Sequence, residues 1–503
     1  YIDVITSINK TFGKFSLAAN VGYSYSDYAS LTRGYGGNLV LVPNKFSLNN
    51  INPSDSKIRE AGGDSKVRNV AAFASAELGW RSMVYLTLTG RNDWNSRLVN
   101  SSEESFFYPS VGLSAIVSEM TKLPSFISYL KVRGSYTEVG SPVSRSGMTP
   151  GTITTPLVGG SLKSTDIYPF TDYKAERTKS YEFGLTARFW KKLSFDFTWY
   201  KSNTYNQTFV GDLPESSGYK KVYLQAGNVE NRGVEMSLGY SDNFGGLQWN
   251  SSLVYSKNVN EIKEMVKDYY HPLSPKPLNI PEVSKDNGRV LLKVGGSIND
   301  IYARKVLAKD NQGFVNVSPS GGMSLETVEP IYLGKTTPDF TMGWNNNFTY
   351  KNFGLSFLIN ARVGGIVTSS TQALLDRFGV SKASADARDA GGVMIPNQGL
   401  YDAKKYYTLV ATGENDLAGY YTYSATNVRL QELTLSYKFN SKLFNNVIKD
   451  LTLSFVATNP WMIYCKAPFD PELTASTGTY GQGNDYFMQP SLKSYGFSVK
   501  FKF

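Results

Sequence analysis

The chain has 503 residues, a formal charge of +10 and a composition that is 41% hydrophobic and 14% aromatic. No run approaches the roughly 18 apolar residues a membrane-spanning helix needs, which excludes a helical membrane protein but not one built from strands. One cysteine, Cys465, excludes an internal disulfide framework, and one histidine, His271, leaves no His-rich metal site and no Ser/His/Asp cluster, so neither an enzyme nor a cofactor or metal protein is expected. The cations are scattered, with only short pairs such as Lys191-Lys192 and Lys220-Lys221, so nucleic acid is not an expected partner.

Alternation with a period of two predicts strands from the first residues onward. Asp3–Phe12 and Phe15–Tyr25 pair across Gly13-Lys14; Phe15, Leu17, Ala19, Val21 and Tyr23 share one face of the second strand. After a polar segment to about residue 66, Val67–Trp80 and Met83–Trp94 pair across Arg81-Ser82, and Phe107–Ser118 and Tyr129–Gly140 follow. A Gly/Ser/Thr/Pro-rich loop to about residue 175 leads into Ser180–Trp190 and Leu193–Tyr200. There Phe183, Leu185, Phe195 and Phe197 alternate with Glu182, Thr186, Asp196 and Thr198. Gly233–Tyr240 and Leu247–Tyr255 come next. The longest connection, about 263–337, holds His271 in a Pro-rich stretch that reads as solvated loop, and apolar pieces that mark a small folded excursion. Phe340–Tyr350 and Phe353–Ala361 form a hairpin across Lys351-Asn352. Val428–Phe439 slips phase at Gln431-Glu432, which predicts a bulge, and Leu451–Thr458 follows. In the final strand, Leu492–Phe503, Tyr495, Phe497, Val499, Phe501 and Phe503 alternate with Ser494, Gly496, Ser498, Lys500 and Lys502.

About fifteen strands result, most of the roughly 9–11 residues that a tilted membrane strand needs. Short turns alternate with long loops at about 29–66, 141–175, 203–230, 263–337, 366–422 and 466–490. An up-and-down barrel in an outer membrane sorts its connections this way, with long loops outside; a soluble sandwich has no reason to. Aromatics flank the short turns (Phe12, Phe15, Trp80, Trp190, Phe244, Tyr350, Phe353), as rings do at a lipid–water boundary. The reading is an all-β, antiparallel, up-and-down transmembrane β-barrel. Hydrocarbon tolerates no unpaired sheet edge, so an odd strand count beginning at residue 1 predicts sequence missing before this chain.

Several strings then resemble one family. Phe107-Tyr-Pro-Ser-Val-Gly-Leu-Ser114, Glu176-Arg-Thr-Lys-Ser-Tyr-Glu-Phe-Gly184, Asn228-Val-Glu-Asn-Arg-Gly-Val-Glu235, Val428-Arg-Leu-Gln-Glu-Leu433 and Pro468-Phe-Asp-Pro-Glu472 look like the barrel of SusC/RagA-type TonB-dependent outer-membrane transporters. The resemblance covers nearly the whole chain. It implies a barrel of about 22 strands, of which residues 1–503 would be the C-terminal portion, with the plug and TonB box absent from this chain. It further implies energised uptake of oligosaccharides or oligopeptides, a SusD-like lipoprotein partner, and TonB acting through the missing N-terminal part. A passive porin or surface adhesin is the alternative. Arg91, Asn92, Asp93 and Trp94 are candidate cargo contacts on the lumen side, although Arg91 and Asp93 are expected to pair with each other or with the plug. Asp470 and Glu472 could bind a cation but are expected to pack a loop. Phe501 and Phe503 would form the C-terminal signal for barrel assembly.

Overall fold

The computed structural model describes all residues except Leu41, 53–58, Asn100, 143–156, 159–160, 163–166, 169–173, 213–220, Ala226, 271–275, 286–288, Pro319, 413–416, Ala418, 441–449, Thr477, 479–480 and Phe503. His271 and Phe503 therefore lie outside the described residues. Fifteen long strands form one sheet in chain order. They are β1 Ile2–Phe12, β2 Phe15–Gly36, β3 Arg59–Trp80, β4 Val84–Asn95, β5 Ser105–Ile116, β6 Ile127–Ser141, β7 Glu176–Phe189 and β8 Leu193–Tyr205. The rest are β9 Asn228–Phe244, β10 Leu247–Glu264, β11 Phe340–Tyr350, β12 Phe353–Val363, β13 Asn427–Phe439, β14 Asp450–Cys465 and β15 Ser494–Lys502. The chain divides into two compact units: Tyr1–Leu113 with Ser135–Lys179 and Asn206–Gln225, and Ser114–Gly134 with Ser180–Tyr205 and Ala226–Phe503.

In the first unit the register sets like against like. Phe12 lies opposite Phe15, Phe15 opposite Trp80, and Trp80 opposite Val84, an aromatic row beside the short turns. Farther along the same face come Leu17/Leu78/Leu86 and Ala19/Ala76/Leu88. Many of these apolar side chains are exposed: Phe12, Phe15, Leu78, Trp80 and Leu88 are all 38–49% accessible.

The second unit repeats the device. Phe195, Leu238, Leu253, Trp344 and Ile359 are successive register partners across β8 to β12. Beside the turns, Leu247, Tyr350, Phe353, Tyr437, Leu453 and Val499 are likewise partners. The predicted bulge is present: Ile359 faces Leu430 and Leu358 faces Glu432, so Gln431 has no partner in the ladder. That extra residue brings Val428 and Leu430 onto the same face as Leu433, Leu435 and Tyr437.

The strands run farther at their loop ends than the sequence alone predicts. β2 and β3 stay paired from Phe15/Trp80 to Gly36/Arg59, through much of the predicted 29–66 loop. β8, β9, β10 and β14 also extend well past their predicted ends. The extensions of β8, β9 and β10 are rich in Asn, Glu, Lys and Ser, so backbone pairing continues there where apolar alternation has stopped; that of β14 carries Trp461, Met462, Ile463 and Tyr464. The 263–337 connection carries a four-stranded sheet of its own. The 366–422 connection, read from sequence as loop, holds three short helices among its described residues: α1 Ser370–Arg377, α2 Lys382–Asp389 and α3 Ala403–Thr412. Ser369 caps α1 by accepting from the Gln372 N–H, and Ser381 caps α2 through the Ser384 N–H. Ala373, Ile395, Tyr406, Val410, Leu417 and Tyr421 form their core, against which Leu307 and Leu325 of the neighbouring connection pack. Ser369 also donates to Asp485 at 2.8 Å, which ties in the connection after β14.

Candidate functional site

Arg91, Asn92, Asp93 and Trp94 occupy the loop-side end of β4, and the strand's pleat separates them. Arg91 and Asp93 share the polar face with Thr87, Thr89 and Asn95; Asn92 and Trp94 share the apolar face with Leu86 and Leu88. Asp93 is 4% exposed and is held by Arg91 (Nε–Oδ2 2.9 Å, Nη2–Oδ1 3.0 Å), by the Asn69 amide at 2.9 Å and by the Tyr108 hydroxyl. The Arg91–Asp93 pairing expected from sequence is therefore formed. Arg91 lies 5.5 Å from the Phe73 ring centre, and that ring fills the space a side chain on Gly22 would need. Trp94, 45% exposed, instead lines a groove on the apolar face with Lys66, Arg68, Val70 and Val99. The four residues thus do not converge on one cargo site, because adjacent strand positions point to opposite faces.

The polar face of the second unit carries a denser array. Arg133 on β6 donates to Thr186 Oγ1 (3.2 Å), Thr198 Oγ1 (2.6 Å) and Asp196 Oδ1 (3.3 Å), and Thr186 donates to Asp196 at 2.6 Å. Gly184 permits this: a Cβ there would meet the Arg133 side chain at 2.4 Å. Beside the array lies a cavity of about 570 Å³ lined by Asp196, Glu235, Ser256, Asn360, Arg362 and Glu472. Arg362 donates to the Thr336 carbonyl at 2.6 Å, while Glu235 makes no hydrogen bond or ion pair among the described residues. Arg133, Glu235 and Arg362 were not singled out as site residues from sequence. The available signal was their phase, since each sits on the polar beat of its strand.

Asp470 and Glu472 pack a loop. Arg429, 5% exposed on β13, reaches Asp470 Oδ1 at 2.7 Å and Glu472 Oε2 at 3.2 Å. Burial works to raise the Asp470 carboxyl, but Arg429, Ser491 and the Glu472 N–H together hold it below the usual carboxylate range. Among the described residues no group of three or more His, Cys, Asp or Glu could hold a metal ion. Cys465 ends β14 half-buried, its Sγ 3.5 Å from the Ala467 carbonyl. Phe501 lies on the apolar face of β15, 55% exposed.

An exposed apolar face opposite a polar, charge-paired face, carried by long antiparallel strands, defines a wall between lipid and a hydrated interior. The comparisons agree. The family described as TonB dependent receptor-like, beta-barrel, matches residues 3–459, and the chain belongs to it. It is an outer-membrane barrel protein, and its likeness within the family is to the SusC/RagA type. It is 23% identical to TonB-dependent receptor P3 of Formosa agariphila over 98% of this chain and 51% of that protein. It is 24% identical to TonB-dependent receptor SusC of Bacteroides thetaiotaomicron over 84% of this chain and 43% of that protein. Among solved structures, the RagAB peptide importer in its open-open state superposes with a TM-score of 0.73 at 17% identity, over all of this chain and 54% of that one. The chain thus spans about half the length of the relatives it matches.

Proposed function

We propose that this chain is the barrel wall of a TonB-dependent importer of oligosaccharides or oligopeptides, working with a SusD-like surface lipoprotein at its loop end. Its transport would be energised by TonB acting through a part of the protein outside this chain. The observation that carries the reading is the polar face of the second unit. There a network centred on Arg133 adjoins a cavity offering both a carboxylate without an ionic partner among the described residues, Glu235, and a guanidinium, Arg362. Polar and charged groups at the wall of a wide lumen suit a hydrated, bulky cargo. The likeness to the RagAB peptide importer and to SusC supports the same class.

The test is uptake by cells carrying the intact protein as the sole importer. Growth on the cargo should stop when TonB is deleted or the SusD-like partner is removed. Uptake that continues without TonB would make the protein a passive porin. Wild-type uptake by a Glu235→Ala, Arg362→Ala double variant would remove the cavity from the transport route.

A further inference from the structure

At the loop-side ends of β8, β9 and β10 the two faces of the wall exchange character. Farther down, the outer, lipid-facing side is apolar: Phe197, Trp199, Val234, Met236 and Tyr255. Above them the inner side becomes uncharged, with Tyr200, Ser202, Asn231, Asn258 and Asn260, and the charges move outward. Lys201 lies opposite Arg232, and Lys257 opposite Val234, all on the outer side. Glu230, its side chain 4% exposed, is ringed by Lys201 (2.9 Å), Arg232 (3.1 Å) and Lys263 (3.8 Å). Glu261 takes Lys263 at 2.7 Å and Arg232 at 3.5 Å. Lys257 is exposed and has no acidic partner among the described residues. Glu264, the register partner of Asn228 past the register shift, adds a third carboxylate at the end of this side, so four cations against three carboxylates leave an excess of one positive charge, with Lys201 42% and Arg232 50% exposed.

The first unit shows the same order independently. Just past Tyr25 and Val70 on its outer side, one carboxylate, Asp27, holds both Lys66 (3.2 Å) and Arg68 (3.1 Å), and Arg68 lies 5.5 Å from the Tyr25 ring centre. Cargo in the lumen cannot reach either group, since both stand on the opposite face. With the loop side facing the cell exterior, as in the importer reading, what would lie against that face, one step above the hydrocarbon, is the headgroup layer of the outer leaflet.

We propose that Lys201, Arg232, Lys257 and Lys263 bind the phosphate of a negatively charged outer-leaflet lipid. Its acyl chains would pack below on Trp199, Val234 and Tyr255. Glu230 holds three of the cations side by side without neutralising them. The assignment to the outer leaflet rests on the loop side facing the cell exterior, as in the importer reading.

The test uses the intact protein in nanodiscs of phosphatidylethanolamine doped with bisphosphorylated lipid A, with retained lipid counted by native mass spectrometry. Lys257→Gln breaks no ion pair among the described residues, and Arg232→Gln removes a second cation. Each should weaken retention about fivefold, as expected for one surface cation facing an anionic lipid, and added salt should weaken it further. Dephosphorylated lipid A should not be retained. Wild-type retention in both variants, equal retention of the dephosphorylated lipid, or displacement by millimolar inorganic phosphate would overturn the proposal. Uptake and surface labelling are separate readouts, so a failed importer would leave the lipid binding standing, and an inverted orientation would withdraw only its assignment to the outer leaflet.

Discussion

Arg429 and Asp470 show how a residue pair can anchor a loop. Both are nearly buried, and the guanidinium also reaches Glu472. Removing one partner strands a buried charge, so Asp470→Ala should cost about 3–5 kcal/mol, whereas Arg429→Met combined with Asp470→Leu should recover much of that loss. Thermal unfolding of the detergent-solubilised protein, followed by the heat-modifiable gel shift, measures both. The pair also sets a pH dependence. Since the folded-state value of Asp470 is depressed, its contribution is complete above the ordinary unfolded value of about 3.9 and is lost as pH falls through the folded value. Wild type should therefore destabilise in acid through this window more steeply than Asp470→Ala; parallel acid profiles would show that the carboxylate carries no such linkage. The sequence marked Asp470 and Glu472 but gave no sign of Arg429 as their partner. That contact joins residues 41 positions apart and depends on how the loop folds back.

Strand identity was legible because burial in a wall of this kind writes itself as alternation, and the short turns set most of the register. The bulge was legible for the same reason, as a broken phase at Gln431. Deleting Gln431 should turn Leu433, Leu435 and Tyr437 to the polar side and abolish assembly into vesicles, while Gln431→Ala should assemble; assembly of both would show that the bulge does not set the phase. On β7 and β8, Leu185→Arg or Phe197→Arg should cost about 2–4 kcal/mol in urea-driven unfolding from lipid vesicles. Thr198→Val, which takes one acceptor from Arg133, should cost about 1 kcal/mol. Equal costs on both faces would contradict the assigned orientation. The strand ends and the three helices were not legible. At the loop ends of β8, β9 and β10 the ladder is held by backbone pairing with no apolar beat. Helices of 8–10 residues are too short for a clear period, although the caps Ser369 and Ser381 were there to be read.

At the scale of the molecule, the wall was readable and the site was not, for one physical reason. Which face a residue takes follows from counting by two. Which polar residues meet across neighbouring strands follows from register, glycine gaps and loops that return to the wall. Arg91 and Trp94 looked contiguous in sequence and part to opposite faces; Arg133 and Thr198 lie 65 positions apart and touch. The sorting of short and long connections has one further consequence, the direction of the chain across the outer membrane. With Cys465 replaced by Ser, a cysteine at Phe378, 73% exposed just after α1, should react with a membrane-impermeant maleimide on intact cells. A cysteine at Lys351, in the short turn between β11 and β12, should react only after the outer membrane is opened. Labelling in the reverse order would put the long connections in the periplasm. It would withdraw the surface lipoprotein and outer-leaflet assignments together, while leaving intact the register, the bulge and the Arg133 network, none of which depends on orientation.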